Sequence, residues 1–294
     1  MTDANTMRDP RERGPKPPFQ KQDQPYPGSE QKMHPAPDYG EHSYAGSGKL
    51  KDRVALITGA DSGIGRAVAL AFAREGADIA FAYLQENPDA DETVRIVEEA
   101  GHSAIAYRGD LRDDEFCKRL VERTIEDLGQ LDILVNNAGF QSIEKDFTEL
   151  SEEDWDRAIQ TNLDAMFYLS KYALMQMRPG GAIVNTTSIQ AFQGSGGLVH
   201  YATTKGGIVS FTRALAQNAI QRGVRVNAVA PGPVWTPLIV STMPAGHYEQ
   251  FGADSPMGRP AQPAELAPAY VFLASNDSTY ITGEVIGVTG GTPI

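Results

Sequence analysis

Cysteine is nearly absent. Cys117 is the single one in 294 residues, so no disulfide can form within the chain, which fits a reducing compartment. It sits in the polar, helix-like stretch Asp113 to Arg119 and reads as incidental rather than nucleophilic. Long apolar runs are missing as well. None approaches the ~18 residues that a membrane span requires, so no membrane partner is expected. The N-terminal segment has no apolar core of the kind that directs export, and the expected location is the cytoplasm. Excess positive charge is also lacking. Lys and Arg number 26 against 38 Asp and Glu, a net charge of -12. That balance argues against nucleic acid or an anionic membrane as the main partner, because both need a basic patch. It leaves room for an anionic cofactor, since a few backbone amides hold a phosphate even on an acidic protein. No close Cys/His cluster and no His-Glu pairing is present, so no metal site is expected.

What remains is an ordinary globular composition, 41% hydrophobic and 22% charged. Residues 1–48 stand apart. They are rich in Pro, Gln, Gly and charge, and Pro15, Pro17, Pro18, Pro25, Pro27, Pro35 and Pro37 forbid regular helix. Two readings fit: a disordered tail, or an extended arm anchored by Phe19, Tyr26, Met33, Tyr39 and Tyr44. Residues 49–294 read as one domain in which short apolar strands alternate with amphipathic helices. Strands are expected at 54–58, 79–83, 104–107, 133–135, 182–186, 224–229 and 284–288. Helices are expected at 64–75, 90–100, 113–128, 151 to near 179, 201–222 and 264–274. Glycines such as Gly76, Gly101, Gly129 and Gly223 act as helix stops. Ser151 to Asp154 has the form of a helix-opening capping box. This alternation predicts an α/β, doubly wound, Rossmann-type parallel sheet of seven strands with helices on both faces. Ligands of such sheets bind beyond the carboxyl ends of the strands.

The first strand runs into Thr58-Gly59-Ala60-Asp61-Ser62-Gly63-Ile64-Gly65. Glycines permit a tight turn and a close backbone approach. The free amides and positive dipole end of the next helix suit a pyrophosphate. No Lys-Ser or Lys-Thr follows, so this is not a Walker loop.

With this loop in place, the chain resembles a classical short-chain dehydrogenase/reductase from about residue 50 to its end. The matching residues occur in the family's order. They are the glycine loop Thr58 to Gly65, the Asn136-Asn137-Ala138-Gly139 run after the fourth strand, and Asn162 in the long helix. Ser188 follows the fifth strand, Tyr201 and Lys205 stand four apart, and Pro231-Gly232 with Thr236 follows the sixth strand. The Pro-rich arm and the segment 231–260 further resemble the bacterial general stress protein and aldehyde reductase subgroup. The resemblance implies a hydride exchange between NAD(P)(H) and the carbonyl or alcohol carbon of a small substrate. It places Gly59, Asp61, Ser62, Gly63, Ile64 and Gly65 at the cofactor. It adds Tyr83, Asp110, Leu111, Asn137, Ala138, Gly139, Pro231, Gly232, Val234 and Thr236, with Tyr201 and Lys205.

Carbonyl reduction needs a hydride donor, polarisation of the oxygen and a proton for the alkoxide. A tyrosine is a good proton source, but its free pKa of about 10 is too high for a base near neutrality. Positions 201 and 205 share one helix face, which sets an ammonium beside the phenol and is expected to lower its pKa. Tyr201 therefore takes the acid/base role and Ser188 bonds the substrate oxygen. By resemblance, Lys205 also holds the nicotinamide ribose and Asn162 fixes a water in a proton relay. His200, beside Tyr201, is the minor alternative base.

In the family an acid at the end of the second strand binds the ribose diol of NAD. That position is Tyr83 here, which leans towards NADP over NAD. Glu86 lies close by, and Arg66 is a candidate phosphate ligand. The loop 233–258, with Trp235, Leu238, Ile239, Met243, Tyr248, Phe251 and Met257, reads as a mobile lid or as ordinary packing. Phe192, Leu198 and Val199 are expected to add to a pocket for an aldehyde, a ketone or a sugar. The family implies a homotetramer. The alternatives are a non-catalytic NAD(P)-binding or sensor protein on the same fold, an epimerase of the extended relatives, and a stress-protective role for the arm.

Overall fold

The computed structural model describes residues 9–244 and 246–294. Residues 1–8 of the expected arm and position 245 of the 233–258 loop lie outside the described residues. In chain order the elements are β1 (Arg53–Thr58), α1 (Gly63–Arg74), β2 (Ala77–Tyr83), α2 (Asn87–Glu99), β3 (Ala104–Arg108), α3 (Asp114–Leu128) and β4 (Ile133–Asn136). Then come α4 (Glu152–Ile159), α5 (Ala165–Gln176), β5 (Ala182–Thr186), α6 (Gln190–Gln193), α7 (Val199–Ala219), β6 (Arg225–Pro231), α8 (Pro237–Thr242), α9 (Pro263–Ala274) and β7 (Val285–Val288). The strands form one seven-stranded sheet in the order β3-β2-β1-β4-β5-β6-β7, every pair parallel. The chain leaves β1 in one direction and resumes at β4 in the other. The topological switch point, where such sheets bind ligands, therefore lies between β1 and β4.

Alternation along the strands feeds two cores. Leu56, Leu134, Ile183 and Val226 face Leu120 of α3, Leu169 of α5 and Ala216 of α7. Ile57, Phe81, Val135 and Val184 face Phe72 of α1 and Leu266 and Tyr270 of α9. Successive residues point to opposite faces, so strands covered on both sides are apolar throughout.

The long helix expected from 151 is interrupted. Ser151 caps α4 by accepting from the Asp154 amide at 3.1 Å. A five-residue π turn, Gln160–Asp164, then separates α4 from α5. Such a turn inserts one extra residue and swings its side chains off the regular helix stripe. Asn162 sits within it.

Residues 9–48 run as an extended arm over the body of the same chain. Phe19 stacks on Trp235 at 4.1 Å between centroids, and with Met33 it joins a buried cluster with Ile239, Val240 and Tyr248. Burying Phe19 and Met33 contributes about 1.5–3 kcal/mol each before entropy. Tyr44 donates to Glu75 at 2.6 Å. Trp235 donates through Nε1 to the Pro35 carbonyl at 2.8 Å.

Candidate active site

The loops after β1 and β4 are stitched together at the switch point. Thr58 Oγ1 accepts from the amides of Asn137 (2.9 Å) and Ala138 (3.0 Å). Asn137 Nδ2 donates to the carbonyls of Thr58 and Gly59, both at 3.1 Å. The fit leaves no space for side chains at two glycines. Gly59 has φ 64°, and a Cβ there would lie 3.1 Å from Ala138 Cα. A Cβ on Gly65 would lie 2.1 Å from the Gly59 carbonyl oxygen.

Above this turn opens a cleft of about 530 Å³. Its walls include Gly59, Asp61, Ser62, Gly63, Ile64, Tyr83, Asp110, Leu111, Asn137, Ala138, Gly139, Pro231, Gly232, Val234 and Thr236. Gly65 lies beneath the turn and does not reach the wall. Ser188, Tyr201 and Lys205 face the same cleft. Tyr201 stands in the first turn of α7 and Lys205 one turn on. Lys205 Nζ lies 5.3 Å from the Tyr201 ring centroid and donates to the Thr186 carbonyl at 2.9 Å. Thr187 Oγ1 donates to the Lys205 carbonyl at 2.7 Å, tying α7 to the end of β5. Ser188 Oγ accepts from the Gln190 amide at 3.1 Å.

Removal from water dominates the ionisation of this pair. It pushes the Tyr201 phenol up to about 12, against which the hydrogen bond with Ser188 pulls down. It pulls the Lys205 ammonium down to about 8. The expected lowering of the phenol by the ammonium is not found, and burial raises the phenol instead. The ammonium spends a hydrogen bond on a backbone carbonyl, and both groups lose hydration.

Asn162 lies behind the cleft wall, beside Thr58, Asn136 and Ile208. Its Nδ2 donates to the Phe140 carbonyl and to Thr204 Oγ1, both at 2.9 Å. Its Oδ1 accepts from the Phe140 amide at 2.7 Å. It clamps the loop after β4 to α7. His200 is buried, faces Ser142 through Nε2, and does not line the cleft.

Several expectations need correction. Arg66 is not free for a phosphate: it is buried, pairs with Glu30 of the arm at 2.6 Å, and donates to the carbonyls of Asp61 and Asp89. The loop 233–258 divides. Leu238, Ile239, Met243 and Phe251 line the cleft. Trp235 and Tyr248 are fully buried under the arm. Leu198 lines the cleft, whereas Phe192 and Val199 do not.

The sequence offered no signal for some cleft residues. Tyr26 and Pro27 come from the arm, and Arg157 comes from α4. Acid gathers at the β2 end. Burial pushes Asp61 up to about 7, with Glu86 adding repulsion, and burial also raises Glu86. After the neighbouring strand β3, Arg112 is held by Asp110 through both carboxylate oxygens, the closest contact at 2.6 Å. Among the described residues there is no group of His, Cys, Asp and Glu suited to a metal ion, and no helix long and apolar enough to cross a membrane.

A family model described as enoyl-(acyl carrier protein) reductase matches residues 59–293. General stress protein 39 of Bacillus subtilis is 51% identical over 265 residues, covering 90% of this chain and 93% of the relative. The chloroplastic NADPH-dependent aldehyde reductase 1 of Arabidopsis thaliana is 45% identical over 275 residues, covering 91% and 96%. The solved structure of a short chain dehydrogenase from Burkholderia cenocepacia, in complex with NADP, is 30% identical with a TM-score of 0.78, covering 83% of this chain and 98% of that one.

Proposed function

Because the chain belongs to the short-chain dehydrogenase/reductase family, in the branch of the bacterial general stress proteins, and is an NAD(P)-dependent oxidoreductase, we propose that it reduces the carbonyl of a small aldehyde, ketone or sugar with Tyr201 as proton donor. One observation carries this reading: Ser188, Tyr201 and Lys205 open into the same cleft as the glycine turn. The cofactor fits the cleft above a turn that packs on Ala138 and on the Gly59 carbonyl only because Gly59 and Gly65 carry no Cβ. Asn137 to Gly139, Asp110, Leu111, Pro231, Gly232, Val234 and Thr236 would hold it. When bound it supplies the hydride. Tyr201 gives its proton to the developing alkoxide, which its raised pKa permits because the phenol stays protonated at neutral pH. Ser188 bonds the substrate oxygen. Lys205 stands below the phenol as a cation and, as the family implies, holds the nicotinamide ribose. Asn162 positions the backbone at Phe140 and the helix of Tyr201. The test is oxidation of NADPH and NADH against a panel of aldehydes, ketones and sugars. Tight cofactor binding with no turnover on any of them would favour a sensor protein instead.

NADP is the proposed cofactor, supported by the absence of an acid at Tyr83 and by the NADP complex and NADPH dependence of the relatives above. A second reading, NAD, is favoured by Asp61 and Glu86 at the cleft wall and by the engagement of Arg66 with Glu30. A 2′-phosphate beside two carboxylates is repelled. The ratio of the two Michaelis constants decides between them. We also propose a cytoplasmic homotetramer. Exposed Phe167 and Met175 on α5 support association through that helix, and elution as a monomer at micromolar concentration would remove it.

A further inference from the structure

We propose that the N-terminal arm is part of the cofactor site, with Tyr26 as a binding residue, so that the dinucleotide lies beneath a strap formed by residues 24–30. The inference rests on the oxidoreductase reading above and assigns it a binding residue that no family motif contains.

The strap is fastened on both sides of the cleft. On the β6 side, the Gln24 amide donates to the Val240 carbonyl at 3.2 Å, and Ser241 Oγ donates to the Pro27 carbonyl at 3.1 Å. On the β2 side, the Glu30 amide donates to Asp89 Oδ2 at 3.0 Å. The Glu30 carboxylate accepts from the Gly63 amide, within the phosphate turn, at 2.5 Å and pairs with Arg66. Between these fastenings, Tyr26 and Pro27 form part of the cleft wall itself.

Tyr26 reaches the third side of the cleft. Its ring meets Phe140 edge-on at 5.2 Å, and the Arg157 guanidinium lies 4.5 Å from its centroid and 4.3 Å from that of Phe140. Two features there point to a ligand. Among the described residues the Tyr26 hydroxyl has only the Gly139 carbonyl, at 3.5 Å, which is too long for a good hydrogen bond. Arg53, Arg66, Arg112 and Arg259 each hold a carboxylate, whereas Arg157, which also lines the cleft, has none among the described residues. An under-used phenol and an unpaired guanidinium, both facing the cleft of the glycine turn, suit the hydroxyls and phosphates of a dinucleotide. With both ends of the strap tied down, a bound cofactor restrains segment 24–30 further.

The test measures the dissociation constants of NADPH and NADH by titration of the cofactor-free protein, wild type and Tyr26→Ala and Tyr26→Phe. Amide hydrogen exchange across residues 24–30 is followed with and without cofactor. Tyr26→Ala is expected to weaken binding by about tenfold or more, and Tyr26→Phe, which keeps the packing on Phe140 and Arg157, by less, with the melting temperature of each cofactor-free variant measured alongside. Cofactor is expected to slow exchange in the wild-type strap. Wild-type affinity in Tyr26→Ala, or exchange in the strap indifferent to cofactor, overturns the proposal and leaves the oxidoreductase reading intact. A wild-type protein that binds neither cofactor removes both.

Discussion

The Lys205 ammonium lies 5.3 Å from the centre of the Tyr201 ring, and its own hydrogen bond goes to the Thr186 carbonyl, not to the phenol. The two groups thus interact through space, in a setting where burial raises the phenol to about 12 and lowers the ammonium to about 8. Burial thus keeps the Tyr201 phenol protonated at neutral pH.

Tyr201→Phe keeps the ring and removes the proton. It is expected to lower turnover by about 10²–10⁴-fold, the usual worth of a positioned acid. Cofactor affinity, measured by titration, is expected to be nearly unchanged, since Phe keeps the ring that faces the cleft and leaves the glycine turn and Lys205 in place. Near-normal turnover with cofactor bound would remove Tyr201 from the mechanism.

The rate of reduction should follow the charge on Lys205. The ammonium is present below pH 8 and disappears as pH rises through about 8, so kcat/KM for carbonyl reduction falls over that range. A profile measured from pH 6 to 10 checks this, and Lys205→Arg, which stays charged, is expected to flatten it. The same burial has a stability consequence. The cost of keeping a charged ammonium out of water is present in full below about 8 and vanishes as pH rises towards the ordinary lysine value of 10.5. Lys205→Met is therefore expected to melt higher than wild type at pH 7 while losing activity.

Asn162 holds Phe140 from both sides and Thr204 from a third. Asn162→Ala leaves those buried groups unpaired and is expected to cost about 2–3 kcal/mol in denaturant unfolding. An unchanged unfolding midpoint would show that the clamp is not needed for the fold.

Arg66 and Glu30 form a buried pair that joins the arm to α1. Removing one partner strands the other charge, so Arg66→Ala is expected to cost about 3–5 kcal/mol. It should also raise protease cleavage within residues 9–48. Retained stability would mean that the arm is held by its apolar contacts alone.

Cys117 is buried and its thiol is pushed up to about 12. A thiol-alkylating reagent at pH 7.5 is expected to leave the native protein unmodified and fully active, as mass spectrometry and an assay would show.

Much of the fold could be read from local pattern. Apolar runs such as Val54 to Thr58, each stopped by glycine or followed by an amphipathic stretch, marked the strands within one or two residues. The glycine turn and the four-residue spacing of Tyr201 and Lys205 were equally legible, because both are set by contacts along a single segment. The π turn was not. Thr161, Asn162 and Asp164 are weak helix formers, but nothing in the segment marks an inserted residue, which is accommodated where Asn162 meets the Phe140 backbone and Thr204. The 233–258 loop was ambiguous for a related reason. Whether Trp235 covers a substrate or is itself covered depends on Phe19, more than 200 residues earlier.

Local pattern along the chain was enough for a doubly wound parallel sheet, a glycine turn at the end of its first strand, and a phenol and an ammonium one helical turn apart. Each follows from periodicity and steric limits that act over a few residues. Long-range packing settled that Arg66 binds the arm and not a phosphate, that burial raises the Tyr201 phenol, and that Tyr26 lines the cleft beside Gly139, 113 residues away in the chain. Charge pairing and desolvation depend on which groups are brought together and how much water is expelled, and those quantities exist only once the chain has packed.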